Sequence, residues 1–154
     1  MQDLLAYACE GIKEIASTRD QKLTYAFPDE PFVVAADIDK TSQAFINILN
    51  NAMRFSAPGS EITIGALKQD NHVLCWVQDQ GIGIPADKLQ KIFEEFYQVQ
   101  PPNTRQYGGL GIGLTIAKGL IEAQGGKIWA ESEGVGSGAT FKVLLPSAME
   151  FPSP

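Results

Sequence analysis

The stretch "NILNNAMRFS" sets Asn47, Asn50 and Asn51 inside a run whose apolar residues recur at helical spacing. Asparagine is a middling helix former because its amide competes for backbone hydrogen bonds, so this cluster goes against local preference. On a helix, Asn47 and Asn51 stand one turn apart, with Gln43, Arg54 and Phe55 in the same or the adjoining arc. That face either meets water or meets a ligand. An amide oxygen suits Mg2+, which takes few protein groups, and an arginine one turn further along suits phosphate oxygens. In "DQGIGI", Asp79 ends a strand just before Gly81 and Gly83. This is either a strand leaving its sheet through a flexible turn, or a buried carboxylate that accepts from an exocyclic amine such as adenine's while the glycines admit the ring. In "GGLGIGLTIAKGL", Gly108, Gly109, Gly111 and Gly113 open a helix, where bare amides and the positive helix end can hold phosphate. Glycine-rich turns are common, so this signal alone is weak. The segment lacks the Gly-Lys-Ser/Thr of a P-loop and the third glycine of the dinucleotide fingerprint.

These residues need elements to position them. Met1, Leu5, Ala8, Ile12 and Ile15 form a helical seam, either on the domain's core or at the end of a longer coiled connector. "KLTYAF" and "FVVAA" read as two strands around the turn "PDEP". From about Asp39 to Ser56 the pattern is helical, with Phe45, Ile48, Leu49, Ala52 and Met53 on the core side. "EITIGALKQ" and "HVLCWVQD" flank "DN" as a hairpin, and a short helical piece is expected around Asp87 to Phe93. Turn chemistry without periodicity makes "YQVQPPNTRQYGG" a mobile loop by composition. A helix from the glycine-rich segment and the strands "KIWAES" and "GATFKVLLP" close the chain. The order predicts an α+β fold, a two-layer sandwich whose mixed, mostly antiparallel sheet of about five strands is covered on one face by about three helices.

A chain of 154 residues with 44% hydrophobic content suits one compact unit. Its net charge of -6 is the wrong sign for nonspecific binding to phosphate backbones, so nucleic acid is not expected as a partner. No apolar run approaches a membrane span and the start does not resemble a signal peptide, so the expected setting is cytoplasmic, without direct membrane contact by this domain. The parent protein can still carry a membrane anchor. Cys9 and Cys75 are too few for a disulfide framework or a zinc site and are read as reduced, buried thiols.

Taken in order, "NILNNAMRFS", "DQGIGI", "FEEFY", "GGLGIGL" and "GSGATF" closely resemble the N, G1, F, G2 and final glycine boxes of the catalytic ATP-binding domain of sensor histidine kinases, within the GHKL superfamily. The resemblance covers about residues 20–146. It implies the GHKL ATPase fold, with residues 1–19 leading from an absent dimerisation domain and 147–154 a disordered tail. ATP and Mg2+ are the implied cofactors. Asn51 matches the Mg2+-coordinating asparagine and Asn47 the first asparagine of its box. Asp79 matches the adenine-reading aspartate, Phe55 the aromatic beside adenine and Arg54 the basic residue near the phosphates. Gly81, Gly83, Gly109, Gly111 and Gly113 match the backbone cradles, and Ile84, Tyr107, Gly108, Leu110, Ile112, Leu114 and Thr140 complete the implied nucleotide contacts. Phe93 and Phe96 match the F-box, with core packing an equally good reading; the resemblance makes Gln98 to Tyr107 a lid expected to order with nucleotide, and Arg105 stands where many relatives carry a lid residue that can reach the γ-phosphate. Asn50 has no family role and reads as solvated.

The resemblance further implies transfer of the γ-phosphate to a histidine on a separate helical dimerisation domain, then relay to a response-regulator receiver domain. The isolated domain is expected to be monomeric. His72 has neither the helix nor the acidic neighbour of an acceptor. No catalytic group is expected beyond the positioning roles of Asn47, Arg54 and Arg105. In ATP-hydrolysing relatives a nucleophile-activating glutamate sits where this chain has Asn47, whose amide cannot act as a general base, so ATPase activity should be slow. The alternatives are a non-catalytic ATP-binding module and a stand-alone ATPase or serine kinase of the same fold.

Overall fold

The computed structural model describes residues 13–18, 20–27, 33–94 and 113–147. In chain order its regular elements are α1 (Lys13–Thr18), β1 (Lys22–Ala26), α2 (Ile38–Arg54), β2 (Glu61–Gln69), β3 (His72–Asp79), α3 (Gly113–Glu122), β4 (Lys127–Glu131) and β5 (Ala139–Pro146). Cys9, Phe96, Arg105, Tyr107, Gly108, Gly109, Leu110, Gly111 and Ile112 lie outside the described residues, as do the expected lid, most of the N-terminal seam and the tail beyond Ser147.

The sheet runs β1-β2-β3-β5-β4, with β1 parallel to β2 and every other neighbour antiparallel. This is the mixed, mostly antiparallel sheet expected. The β2–β3 hairpin turns at Asp70 and Asn71, with Asp70 in the left-handed region at φ 54° and Gln69 paired to His72. Strand alternation then sends Val73, Cys75, Val77 and Asp79 to the buried face and leaves His72, Leu74, Trp76 and Gln78 on the other.

The amphipathic pattern of α2 has a physical start and stop. Asp37 caps its first turn by accepting from the Lys40 amide at 2.9 Å, and Phe55 closes the last turn by donating its amide to Asn51 O. Phe45, Ile48, Leu49 and Met53 of α2 pack with Ile62 and Ile64 of β2, Val77 of β3 and Phe141 and Val143 of β5. From α3, Leu114, Ala117 and Ile121 join the same core. Cys75 is buried there, and desolvation pushes its thiol up to about 12, as befits an inert reduced cysteine.

Two expectations are corrected. "FVVAA" does not form a strand beside β1: among its described residues only Val34 makes a bridge, to Ser147, and the Ala35 amide bonds Pro146 O. The run is drawn across the end of β5, and β1 instead takes β2 as its partner. The helical piece near Asp87 to Phe93 is two single 3-10 turns, Ala86–Lys88 and Lys91–Phe93, because a segment this short forms too few bonds to offset helix nucleation.

Candidate nucleotide site

The site is assembled where the C-terminal end of α2, the turn after β3 and the start of α3 meet. Asp79, last residue of β3, is 5% exposed. Its Oδ1 accepts from the Gly81 amide at 2.9 Å and the Ala139 amide at 3.1 Å, and no described residue bonds Oδ2. Desolvation raises the carboxyl above its ordinary 3.8, against the lowering effect of those two amides. The result is a carboxylate fixed by one oxygen with the other available as an acceptor.

The glycines after Asp79 are there for close approach. A Cβ at Gly81 would lie 2.3 Å from Phe55 O, and Gly83 combines φ 76° with a Cβ position 2.0 Å from Gly134 O. No side chain fits either point. The turn is stitched to α2 by the Ile82 amide, which donates to Phe55 O at 3.2 Å, and by the bridge between Ser56 and Gly81. Ile84 is buried and its amide donates to Ser132 Oγ at 3.0 Å.

Along α2, Asn47, Asn51 and Arg54 follow one another at one-turn steps, on the side away from Ile48 and Leu49. Gln43 Nε2 donates to Asn47 Oδ1 at 3.1 Å, whereas Asn51 and Arg54 have no polar partner among the described residues. Asn51 is half-buried and Arg54 exposed. Gly113 opens α3 beside them, its Cβ position 4.0 Å from Asn47 Cβ. Among the described residues no group of three or more His, Cys, Asp or Glu could hold a metal; an amide oxygen such as that of Asn51 is chemically suited to a hard cation that keeps several waters.

Phe93 is buried edge-on to Phe141 at 6.4 Å, and its carbonyl accepts from Thr115 Oγ1 at 2.7 Å. That ties the 3-10 turn to the first turn of α3 and shows Phe93 as a packing residue. Leu114 likewise faces the core. Thr140 is not brought to the Asp79 side. It pairs with Gln78 on the helix-free face, and its neighbour Ala139 supplies the backbone contact to Asp79. His72 starts β3, at the other end of the strand from Asp79. Sequence reasoning missed Ser132 and Ala139; the glycine spacing of "ESEGVGSGAT" marked a turn there but not which groups it would bond.

The family model described as histidine kinase-, DNA gyrase B-, and HSP90-like ATPase matches residues 36–149. The sensor histidine kinase WalK of Bacillus subtilis is 38% identical over 144 residues, which is 90% of this chain and 24% of WalK. The chain thus spans about a quarter of the length of that relative. Among solved structures, the mycobacterial sensor histidine kinase MprB superposes with a TM-score of 0.82 at 25% identity, covering 96% of this chain and 94% of the other. Full-length ShkA in complex with AMPPNP also gives 0.82, at 28% identity over 97% of this chain and 30% of the other. Among the described residues no helix is long and apolar enough to cross a membrane.

Proposed function

This chain belongs to the histidine kinase-, DNA gyrase B- and HSP90-like ATPase family, and from that premise we propose that it is the Mg-ATP-binding kinase domain of a sensor histidine kinase. The observation that carries the adenine half of this reading is Asp79: a buried acid with one oxygen held by two backbone amides and the other without a partner among the described residues. An exocyclic amine donates to such an oxygen, and guanine, with a carbonyl in that place, offers no donor.

Position on α2 supports the remaining roles. Asn51 would hold Mg2+, with Asn47 beside it and Arg54 toward the phosphates. Mg2+ bound there supplies neutralisation of the triphosphate and orientation of its terminal group. Phe55, Gly81, Gly83, Ile84 and Gly113 frame the nucleotide by backbone and by packing. Tyr107 to Ile112, Arg105 and the Gln98 to Tyr107 lid belong to the same proposal on the ground of the motif match. Thr140 is dropped from it, because its side chain lies on the far face of the sheet.

The phosphate acceptor lies elsewhere. His72 is separated from Asp79 by the length of an eight-residue strand, on the order of 20 Å, and no helix presents it. The fitting acceptor is a histidine on a helical dimerisation domain of the parent protein, with a response-regulator receiver domain as the next recipient and the cytoplasm as the setting. Asn47, in place of a general base, leaves water unactivated, so ATP is kept for that histidine. The test mixes the chain with a histidine-bearing helical domain of a WalK-type kinase and γ-labelled ATP. Acid-labile, alkali-stable label on that domain is expected; rapid ATP hydrolysis by the chain alone, with no label transferred, would overturn the reading.

A further inference from the structure

We propose that Ser132 is a positioning residue for adenine selectivity, its hydroxyl joining the two backbone segments whose amides hold Asp79. The inference rests on the adenine-site reading above. Ser132 follows directly on β4, and its Oγ accepts from the Ile84 amide at 3.0 Å and the Gly134 amide at 3.2 Å while donating to Gly138 O at 2.7 Å. One donor and two lone pairs are all that a hydroxyl has, so this one is fully used.

What it joins matters more than how many bonds it makes. Ile84 ends the glycine turn that begins at Gly81, whose amide donates to Asp79 Oδ1. Gly138 precedes Ala139, whose amide is the second donor to the same oxygen. At Gly138, φ is 73° and a Cβ would stand 2.3 Å from Asp79 O, so this backbone has no slack against β3. The loop started by Ser132 returns to the same turn, with the Gly136 amide on Ile82 O at 2.7 Å. Removing the hydroxyl therefore takes away the one side-chain brace shared by both clamps on Asp79, leaving the Gly81 side held by α2 and the Ala139 side by its pairing with β3. The carboxylate remains, but the direction of Oδ2 is less firmly set.

The test titrates the full chain and its Ser132→Ala and Ser132→Thr variants with ATP and with purine riboside triphosphate, which lacks the 6-amino group. The wild type should prefer ATP. In Ser132→Ala the preference should shrink on the order of tenfold, the size of a lost buried hydrogen bond, and Ser132→Thr should restore it. A general loss of order would weaken both ligands alike, leaving the ratio intact, and that result overturns the proposal. Should the alanine variant fail to fold, Ser132→Cys keeps the volume with a weak hydrogen-bonding group; the same reduced ratio is expected, and an undiminished one refutes the role. A wild type that does not prefer ATP refutes the Asp79 reading itself and this inference with it, whereas a normal wild type with an unchanged variant refutes only the part given to Ser132.

Discussion

At the end of β3, Asp79 is buried with one oxygen taken by two backbone amides, while a short way off on α2, Asn51 and Arg54 have no polar partner among the described residues. The first region is fixed before any ligand arrives; the second presents groups that no described residue satisfies. Selecting one base over another requires an acceptor whose direction is fixed, since a misaligned buried acceptor costs as much as an absent one. Holding a metal and phosphates asks less of geometry, because water and mobile oxygens complete the shell and charge acts over distance. The rigid side of the site would therefore supply specificity, and the open side strength.

The most severe way to break this contrast is Asp79→Asn, which replaces the acceptor by a group able to present a donor to the base. ATP affinity should fall on the order of a hundredfold or more by calorimetric titration. An unchanged affinity would remove Asp79 from the site. Next comes Gly83→Ala, which sets a methyl against Gly134 O and strains a positive φ. Unfolding by denaturant should show a loss of about 2 to 4 kcal/mol, and a variant as stable as the wild type would mean that the turn is not rigid.

Substitutions on the open side should cost less and should depend on what is bound. Asn51→Ala is expected to reduce the gain in ATP affinity on adding Mg2+ by about tenfold, with binding of adenosine unaltered. Loss of adenosine binding as well would show that α2 shapes the base pocket and that the contrast between the regions is false.

The mildest effect is on pH. Burial raises the Asp79 carboxyl above its ordinary 3.8, so the folded chain binds more protons than the unfolded one between that value and the raised one. Its contribution to stability is full below the unfolded value and is lost as pH rises through the folded one. Without ligand, wild-type stability relative to Asp79→Asn should decline across that window. ATP affinity should run the opposite way, rising as the carboxylate ionises. Denaturation and titration over a pH series check both, and parallel stability curves for the two proteins would show that Asp79 is not desolvated as its position requires.

Much of this molecule was legible in the chain. The apolar spacing of Phe45, Ile48, Leu49 and Met53 marked α2, and alternation marked the β2–β3 hairpin, because both patterns are set by local geometry. The buried carboxylate of Asp79 and the close-approach turn at Gly81 and Gly83 were legible as well, since glycines directly after an acid at a strand end mark such a turn. "FVVAA" misled because an apolar run records burial rather than pairing, and the only bridge among its described residues goes to Ser147 at the far end of the chain. Thr140 misled for a related reason: adjacency to a motif does not say which face of the strand a residue takes, and the register with Gln78 decided that. Ser132 carries no sequence signal at all, being one serine among many.

Sequence alone thus determined which chemical groups are present and the elements that carry them, because residue type and periodicity are properties of neighbours along the chain. Only the tertiary structure decided that Asp79 spends one oxygen on Gly81 and Ala139 and keeps the other, and that a single hydroxyl on Ser132 ties Ile84 to Gly138. The bonds from Ile84 to Ser132 and from Ala139 to Asp79 join residues 48 and 60 positions apart, and their angles and distances depend on how β3, β5 and the turns between them pack, which no local pattern records.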